Sequence, residues 1–220
     1  MSLAEKMLNV FMKYRLRDLV PFGFSTFLDF VNRKYSTFIF ALKCLWHGVQ
    51  LGEGGRIWGT VKMRRFPGSH IRIGKGFCLV NRAGRYAFNI FPQTLIRTYS
   101  SSSKVEIGDG VGANSMAIFC RSQTIRIGAR TMLGGNCQIM DSDGHPLWPL
   151  SSRWHYSGSE HDAPVYIGED VFIGLNVVVL KGSSIGNGAV IAAGSVVSGE
   201  IPSNCVAGGI PAKVIRYLGD

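Results

Sequence analysis

Two devices that hold a chain from outside its own core are missing here. The five cysteines, Cys44, Cys78, Cys120, Cys137 and Cys205, are odd in number and form no CxxC pair. That pattern argues against a disulfide framework and a structural zinc site, and leaves buried reduced thiols as the expectation. Nor does any apolar run approach the ~20 residues that cross a bilayer as a helix; the longest uncharged stretches near the start are Val20–Leu28 and Tyr35–Leu42. With no signal peptide ahead of the basic N-terminus, the expected location is the cytoplasm. Acidic residues are scarce in the first half. Residues 1–47 carry seven Lys/Arg against three acids, residues 48–100 carry nine against Glu53 alone, and residues 101–220 carry eight against ten. The net charge of +10 therefore belongs to the first hundred residues. Such a field favours an anionic partner: a sugar nucleotide, a phosphorylated glycolipid or the inner face of a membrane. Nucleic acid is not expected, because no helix-turn-helix, zinc-knuckle or aromatic–basic RNA-binding motif occurs.

What is present is a repeat. From Pro164 to Ser203 a bulky aliphatic falls on every sixth residue, at Ile167, Ile173, Val179, Ile185, Ile191 and Val197. Four residues after each of the first five stands a small or β-branched partner: Val171, Val177, Ser183, Ala189 and Ser195. In an α-helix, at about 100° per residue, a six-residue step rotates each position off the previous face, so the helical template fails. Short strands hold the register, and turn formers at Gly168, Lys181-Gly182, Gly186-Asn187-Gly188 and Gly194 bend the chain too often for a flat sheet. A parallel β-solenoid fits, each coil stabilised mainly by its neighbours and its ends needing caps or partners.

The hexads IGEDVF, IGLNVV, VLKGSS, IGNGAV and IAAGSV, followed by GEIPSN and VAGGIPAKVIR, resemble the C-terminal half of the hexapeptide-repeat acyltransferases. That family includes galactoside, maltose, serine and xenobiotic acetyltransferases and the O-acetyltransferases of surface polysaccharides. The similarity is close over Asp141–Arg216 and loose before it. It implies a mainly β fold, a left-handed parallel β-helix with three hexads per coil, working as a homotrimer with acetyl-CoA and without a metal.

In chain order, residues 1–47 form a basic, aromatic, helical segment broken at Pro21-Phe22-Gly23. Leu3, Met7, Val10, Phe11 and Tyr14 share one helical face that ends before Pro21, and a second helix runs from Thr26 to Leu45. This segment is a cap on the solenoid end or a neighbouring subunit, with an amphipathic anchor on an anionic membrane as the alternative. The β-helix occupies 48–205. Ile71-Arg-Ile73-Gly74 opens the first convincing coil and Leu79 follows. Asn81–Ser103 loses the register as an irregular coil with a loop, where Arg82, Arg85 and Arg97 are the alternative lining for an anionic acceptor. The repeat restarts at Val105-Glu-Ile107-Gly108 and runs through Ala113 and Phe119, then through Ile127, Leu133 and Ile139. An excursion at 141–163 interrupts it, and 206–220 is a closing segment.

The excursion is where chemistry is expected. Acyl transfer from a thioester to a hydroxyl needs a base, and histidine is suited to accept and return a proton near neutrality. His145 ends a coil and opens the excursion within Asp141-Ser-Asp143-Gly-His145-Pro146, similar to the family segment that holds the catalytic histidine. Asp141, Asp143 or a backbone carbonyl is expected to orient its ring. His155 and His161 are read as exposed polar residues, and a three-histidine zinc site is disfavoured on so mobile a support. The resemblance assigns the pantetheine arm, in a groove between subunits, to Gly174, Ala192, Ala193 and Ser198, and the nucleotide phosphates to Lys213 and Arg216. Phe172 replaces the family's usual Trp, and Ala192 its usual Gly. Asn114 and Asn136 are both candidates for an acceptor-side asparagine. The expected activity is acetyl transfer to a hydroxyl of a sugar or surface-polysaccharide precursor, in a direct ternary complex. N-acyl transfer to an amino sugar and a non-catalytic scaffold are the alternatives.

Overall fold

The computed structural model describes residues 15–82, 93–155 and 158–219. The apolar positions from Leu3 to Tyr14 lie outside them, as does Arg85. Helix α1 (Leu16–Trp46) is continuous, where two helices were expected on either side of Pro21. Pro21 stands in the second turn, so it removes one backbone bond near an end where several are unmade anyway. Beyond it, the Ser25 and Thr26 hydroxyls both donate to the Phe22 carbonyl.

The C-terminal half of α1 covers the open end of the solenoid. Phe40 and Cys44 are buried against the first coil. The Ser36 hydroxyl accepts from the Gly59 N–H at 3.1 Å, the Thr37 hydroxyl accepts from the Ile57 N–H at 3.0 Å, and Lys43 Nζ donates to the Val61 carbonyl at 3.0 Å. These bonds engage backbone groups at a sheet end that would otherwise template another chain. Arg82 pairs with Asp29 of the same helix at 3.0 Å and so ties α1 to the second coil, a different role from the acceptor lining considered above. Arg97 stacks over the Tyr99 ring at 4.3 Å.

Behind α1 the chain winds as a left-handed parallel β-helix of three faces. The first face stacks Gln50–Leu51, His70–Ile73, Lys104–Ile107, Thr124–Ile127, Val165–Ile167, Ser184–Ile185 and Glu200–Ile201. The second begins with Arg56–Gly59 and Cys78–Asn81 and ends with Phe172–Ile173, Val190–Ile191 and Cys205–Gly209. The third includes Val61–Arg64, Thr94–Thr98, Val178–Val179 and Val196–Val197. Gly112–Cys120 and Met132–Met140 are long enough to turn from the second face onto the third. Ile167 lies opposite Ile185, Ile173 opposite Ile191 and Val179 opposite Val197, a repeat of eighteen residues and hence three hexads to the turn. All six of these aliphatics, with Val171, Val177, Ser183, Ala189 and Ser195, are buried.

The earlier coils depart from the hexad pattern in three places. Gln50–Arg64 already makes a complete coil ahead of Ile71, pairing with the second through all three faces. Thr94–Thr98 resumes the third face inside the interval where the pattern is lost. Ile118, not Phe119, enters the aliphatic column, because the corner after Ala113 is one residue shorter than the corner between Leu133 and Ile139 that stacks on it. Phe119 instead packs outside on Tyr99, ring centroids 4.6 Å apart. Ile127, Leu133 and Ile139 are buried as expected.

The five cysteines are free thiols. Burial raises the pKa of Cys44 to about 12 and that of Cys137 to about 11; Cys120 is pushed up by burial and by the neighbouring Asp141 charge. These are inert core residues. At the far end, Ala212–Tyr217 folds back antiparallel on Cys205–Gly209 and closes the edge of the second face.

Candidate active site

The corner between the third and first faces carries Arg121 to Gln123 in the third coil and the 141–163 excursion in the fourth. It carries Lys181 in the fifth coil and Ser198 in the sixth. Successive coils thus stack residues distant in sequence at one edge.

The base of the excursion is clamped. Ala163 N–H donates to the Asp141 carbonyl at 3.0 Å, closing it. The Asp141 carboxylate is fully buried and accepts from the backbone N–H groups of Arg121, Ser122 and Gln123 at 2.6, 3.1 and 2.8 Å. Arg121 meets Asp162 through two parallel bonds of 2.8 and 2.7 Å and donates a third to the Gly144 carbonyl at 3.0 Å. The Ser122 hydroxyl adds a 2.6 Å bond to Asp162. Burial by itself raises the Asp162 carboxyl, but hydrogen bonds from Arg121, Ser122 and Ser142 and the Arg121 charge outweigh it, leaving the group below the ordinary carboxylate value. Bonding to Asp162 correspondingly raises the Arg121 guanidinium, against its own burial.

On that support sits His145. Its Nδ1 lies 2.9 Å from the Arg153 carbonyl, in the short 3-10 turn Leu150–Trp154. A carbonyl only accepts, so Nδ1 carries the proton in the neutral ring and Nε2 holds the free lone pair. Arg153 also donates to the Leu147 carbonyl at 3.0 Å, folding the loop on itself. Of the three candidate orienting groups, the backbone carbonyl makes the contact. Asp141 is committed to amides of the preceding coil, and Asp143 pairs with Lys181 at 2.5 Å. Lys181 Nζ donates as well to the His161 carbonyl at 2.9 Å, joining the two ends of the excursion.

Between them lies a cleft of about 410 Å³ lined by Arg121, Asp143, His145, Pro146, Leu147, Trp148, Gly158, His161 and Lys181. It presents a ring nitrogen able to take a proton, a lysine and an exposed indole around one space. Both His155 and His161 are exposed, and His161 also reaches this cleft. Among the described residues no three His, Cys, Asp or Glu side chains gather as metal ligands.

The residues matched to the cofactor lie elsewhere on the same chain. Gly134, Gly174 and Ala193 stack at the corner between the second and third faces. A Cβ on Gly174 would meet the Ala193 nitrogen at 2.6 Å, and one on Gly134 would meet the Gly174 carbonyl carbon at 2.6 Å. Gly174→Ala is therefore expected to destabilise the solenoid by about 1–3 kcal/mol through overpacking, read as a lower urea midpoint. Ala192 is half-buried beside Gly208, while Ala193 and Gly194 are exposed, so this edge offers backbone with little side chain over it. Lys213, next to Gly208 in the closing strand, adjoins the edge; Arg216 pairs with Val206 farther along it. Asn114 donates to the Leu133 carbonyl at 3.5 Å and Asn136 to Asn176 at 3.1 Å, both on this second corner. Ser198 stands apart from the cofactor set, exposed on the histidine's corner. Two groups of site residues thus occupy different edges of a three-sided column, and one chain does not bring them together.

Sequence reasoning overlooked Arg121 and Arg153, and gave Lys181 only a turn. Nothing in their local sequence marks them, since their roles come from coil stacking and loop closure.

Residues 164–199 match the family model described as bacterial transferase hexapeptide (six repeats). Among curated proteins, the galactoside O-acetyltransferase of Escherichia coli is 34% identical over 122 residues, 56% of this chain and 58% of that protein. The galactoside O-acetyltransferase of Lactococcus lactis is 37% identical over 133 residues, 60% of this chain and 62% of that protein. The chain thus spans less than two thirds of those relatives' own length. A solved hexapeptide-repeat-containing acetyltransferase from Vibrio cholerae has a similar fold, with a TM-score of 0.54 at 24% identity over 84% of this chain and 82% of that one.

Proposed function

We propose that this chain, whose residues 164–199 match the bacterial transferase hexapeptide model, transfers an acetyl group from acetyl-CoA to a sugar hydroxyl. The observation that carries the reading is His145, with Nδ1 bound to a carbonyl and Nε2 left as a base beside a polar cleft. In this reaction Nε2 takes the proton as the acceptor oxygen attacks the thioester carbonyl. The tetrahedral oxyanion collapses, coenzyme A leaves as the thiolate, and the proton returns to it; no acyl-enzyme forms. Asp143 and Lys181 hold the entrance, and the clamp at Asp141, Arg121 and Asp162 positions the loop that bears the base.

Coenzyme A is assigned to the bare edge at Gly174, Ala192 and Ala193, with Lys213 and Arg216 for its phosphates and Ser198 across the groove. Because that edge and His145 lie at different corners, the reading calls for a second copy to complete each site. Three copies about an axis close this arrangement as a homotrimer. An exposed indole at Trp148, beside hydrogen-bonding groups, suits the apolar face and hydroxyls of a sugar ring. The positive field of the first hundred residues favours an anionic acceptor such as a surface-polysaccharide precursor. Acetyl-CoA as donor places the reaction on the cytoplasmic side of a membrane.

Coenzyme A release from acetyl-CoA across a panel of sugars, sugar nucleotides and polysaccharide precursors tests the proposal. Release above hydrolysis with a product cleaved by mild base supports ester formation. A base-stable product would convert the reading to N-acyl transfer, and no release on any acceptor would overturn it.

A further inference from the structure

One face of α1 is exposed along most of its length. The helix turns Ser36, Phe40 and Cys44 to the first coil. On the opposite side Phe24, Leu28, Val31, Tyr35, Phe38, Leu42 and Leu45 follow at alternating steps of four and three residues, each 44–78% exposed. Val20, Phe27 and Trp46 extend the same stripe, Trp46 at 88% exposure. Every residue from 20 to 28 is exposed, so the N-terminal half of the helix projects clear of the solenoid. An apolar band this long calls for a partner.

Charge chooses between the two surfaces that fit such a stripe, a lipid bilayer and the same helix of another copy. The first two coils, directly behind α1, expose Arg56, Lys62, Arg64, Arg72 and Lys75 against Glu53 alone. Two such ends facing one another oppose like charges, whereas an anionic bilayer supplies the opposite sign. A helix is about 10 Å thick, close to the Debye length of about 10 Å at 0.1 M salt, so cations on the coil behind still feel the lipid charge. The stripe is also rich in Phe, Tyr and Trp, which settle at the boundary between headgroups and acyl chains. No helix among the described residues is long and apolar enough to cross a membrane, so α1 would lie on the surface.

We propose that α1 docks this protein on an anionic membrane surface, its Phe24–Leu45 stripe buried at the headgroup boundary and the basic first coils held over the lipid phosphates. The proposal is independent of acetyl transfer, because it is read by binding alone. The test is flotation of the full-length protein with vesicles of phosphatidylcholine, with and without phosphatidylglycerol, at low and high salt. Binding is expected only with phosphatidylglycerol and is expected to weaken with salt. Phe38→Glu with Leu42→Glu should cost at least about tenfold in vesicle affinity, as two outward side chains lose their apolar phase. Lys62→Gln with Arg64→Gln should cost about fivefold per charge. Thermal unfolding and sedimentation of each variant show that fold and oligomeric size are unchanged. Failure of the wild type to float, equal flotation by the Phe38/Leu42 variant, or a change in that variant's oligomeric size would each overturn the proposal, the last in favour of helix pairing between copies.

Discussion

His145→Ala is expected to lower acetyl transfer by about 10²–10⁴-fold, the usual contribution of a positioned general base, and to leave the urea midpoint nearly where it was. The two halves of this expectation have separate structural causes. His145 is exposed, and its Nδ1 contact to the Arg153 carbonyl is the bond that truncation removes, so little packing is lost. What disappears is the lone pair on Nε2; Lys181 is engaged by Asp143 and by the His161 carbonyl, and the His161 ring lies beside Glu160. The loss should appear in kcat, with KM for acetyl-CoA little changed, because the proposed coenzyme A edge lies on another corner. Steady-state coenzyme A release measures both. Equal kcat for wild type and variant on an acceptor that the wild type uses would remove His145 from the chemistry.

The second large effect is expected at the clamp. Arg121→Met leaves the Asp162 carboxylate, whose side chain is 1% exposed, without its charged partner. Breaking one side of a buried pair typically costs about 3–5 kcal/mol. Replacing both, as Arg121→Met with Asp162→Leu, should recover much of that, because the unpaired charge goes as well. Urea unfolding gives the stability, and limited proteolysis within 147–155 reports on the loop. Transfer activity should fall with loop order in Asp162→Asn as well, although Asp162, unlike Arg121, lines no part of the cleft. Acid should act in the same direction. The Asp162 pKa is lowered in the fold from its ordinary value of 3.8. As pH falls, the unfolded chain therefore takes up this proton before the folded one does. The stabilisation from Asp162 is fully present above pH 3.8 and is lost as pH drops below that towards the folded value. Asp162→Asn should flatten this part of the acid-unfolding profile. A double variant no more stable than Arg121→Met would show that the pair is not the clamp.

The hexad column could be read in advance because it is periodic and local. Ile167 to Val197 fall six residues apart, and each lands inside the solenoid because a strand of period two and a corner of fixed length repeat in step. The same regularity located the excursion by its interruption and marked His145 at its opening. Where the period is irregular the pattern misled. A corner one residue short moved the column from Phe119 to Ile118, and Gln50–Arg64 coils without the Ile-Gly signature. Pro21 reads as a helix break in any window, yet a helix tolerates it near its start.

The sequence by itself determined the repeat, the place of the histidine and the uneven charge, all properties of residues near one another along the chain, while three hexads to the coil was what the family resemblance implied. Only the tertiary structure decided what each coil sets above the next. Arg121 reaches Asp162 across 41 positions because coils stack at one edge, and Asp141 is taken up by backbone amides of the turn below. The ring of His145 answers to a carbonyl eight residues on because the excursion folds back upon itself. Side-chain orientation at a corner depends on contacts between successive coils, and those contacts have no period to read.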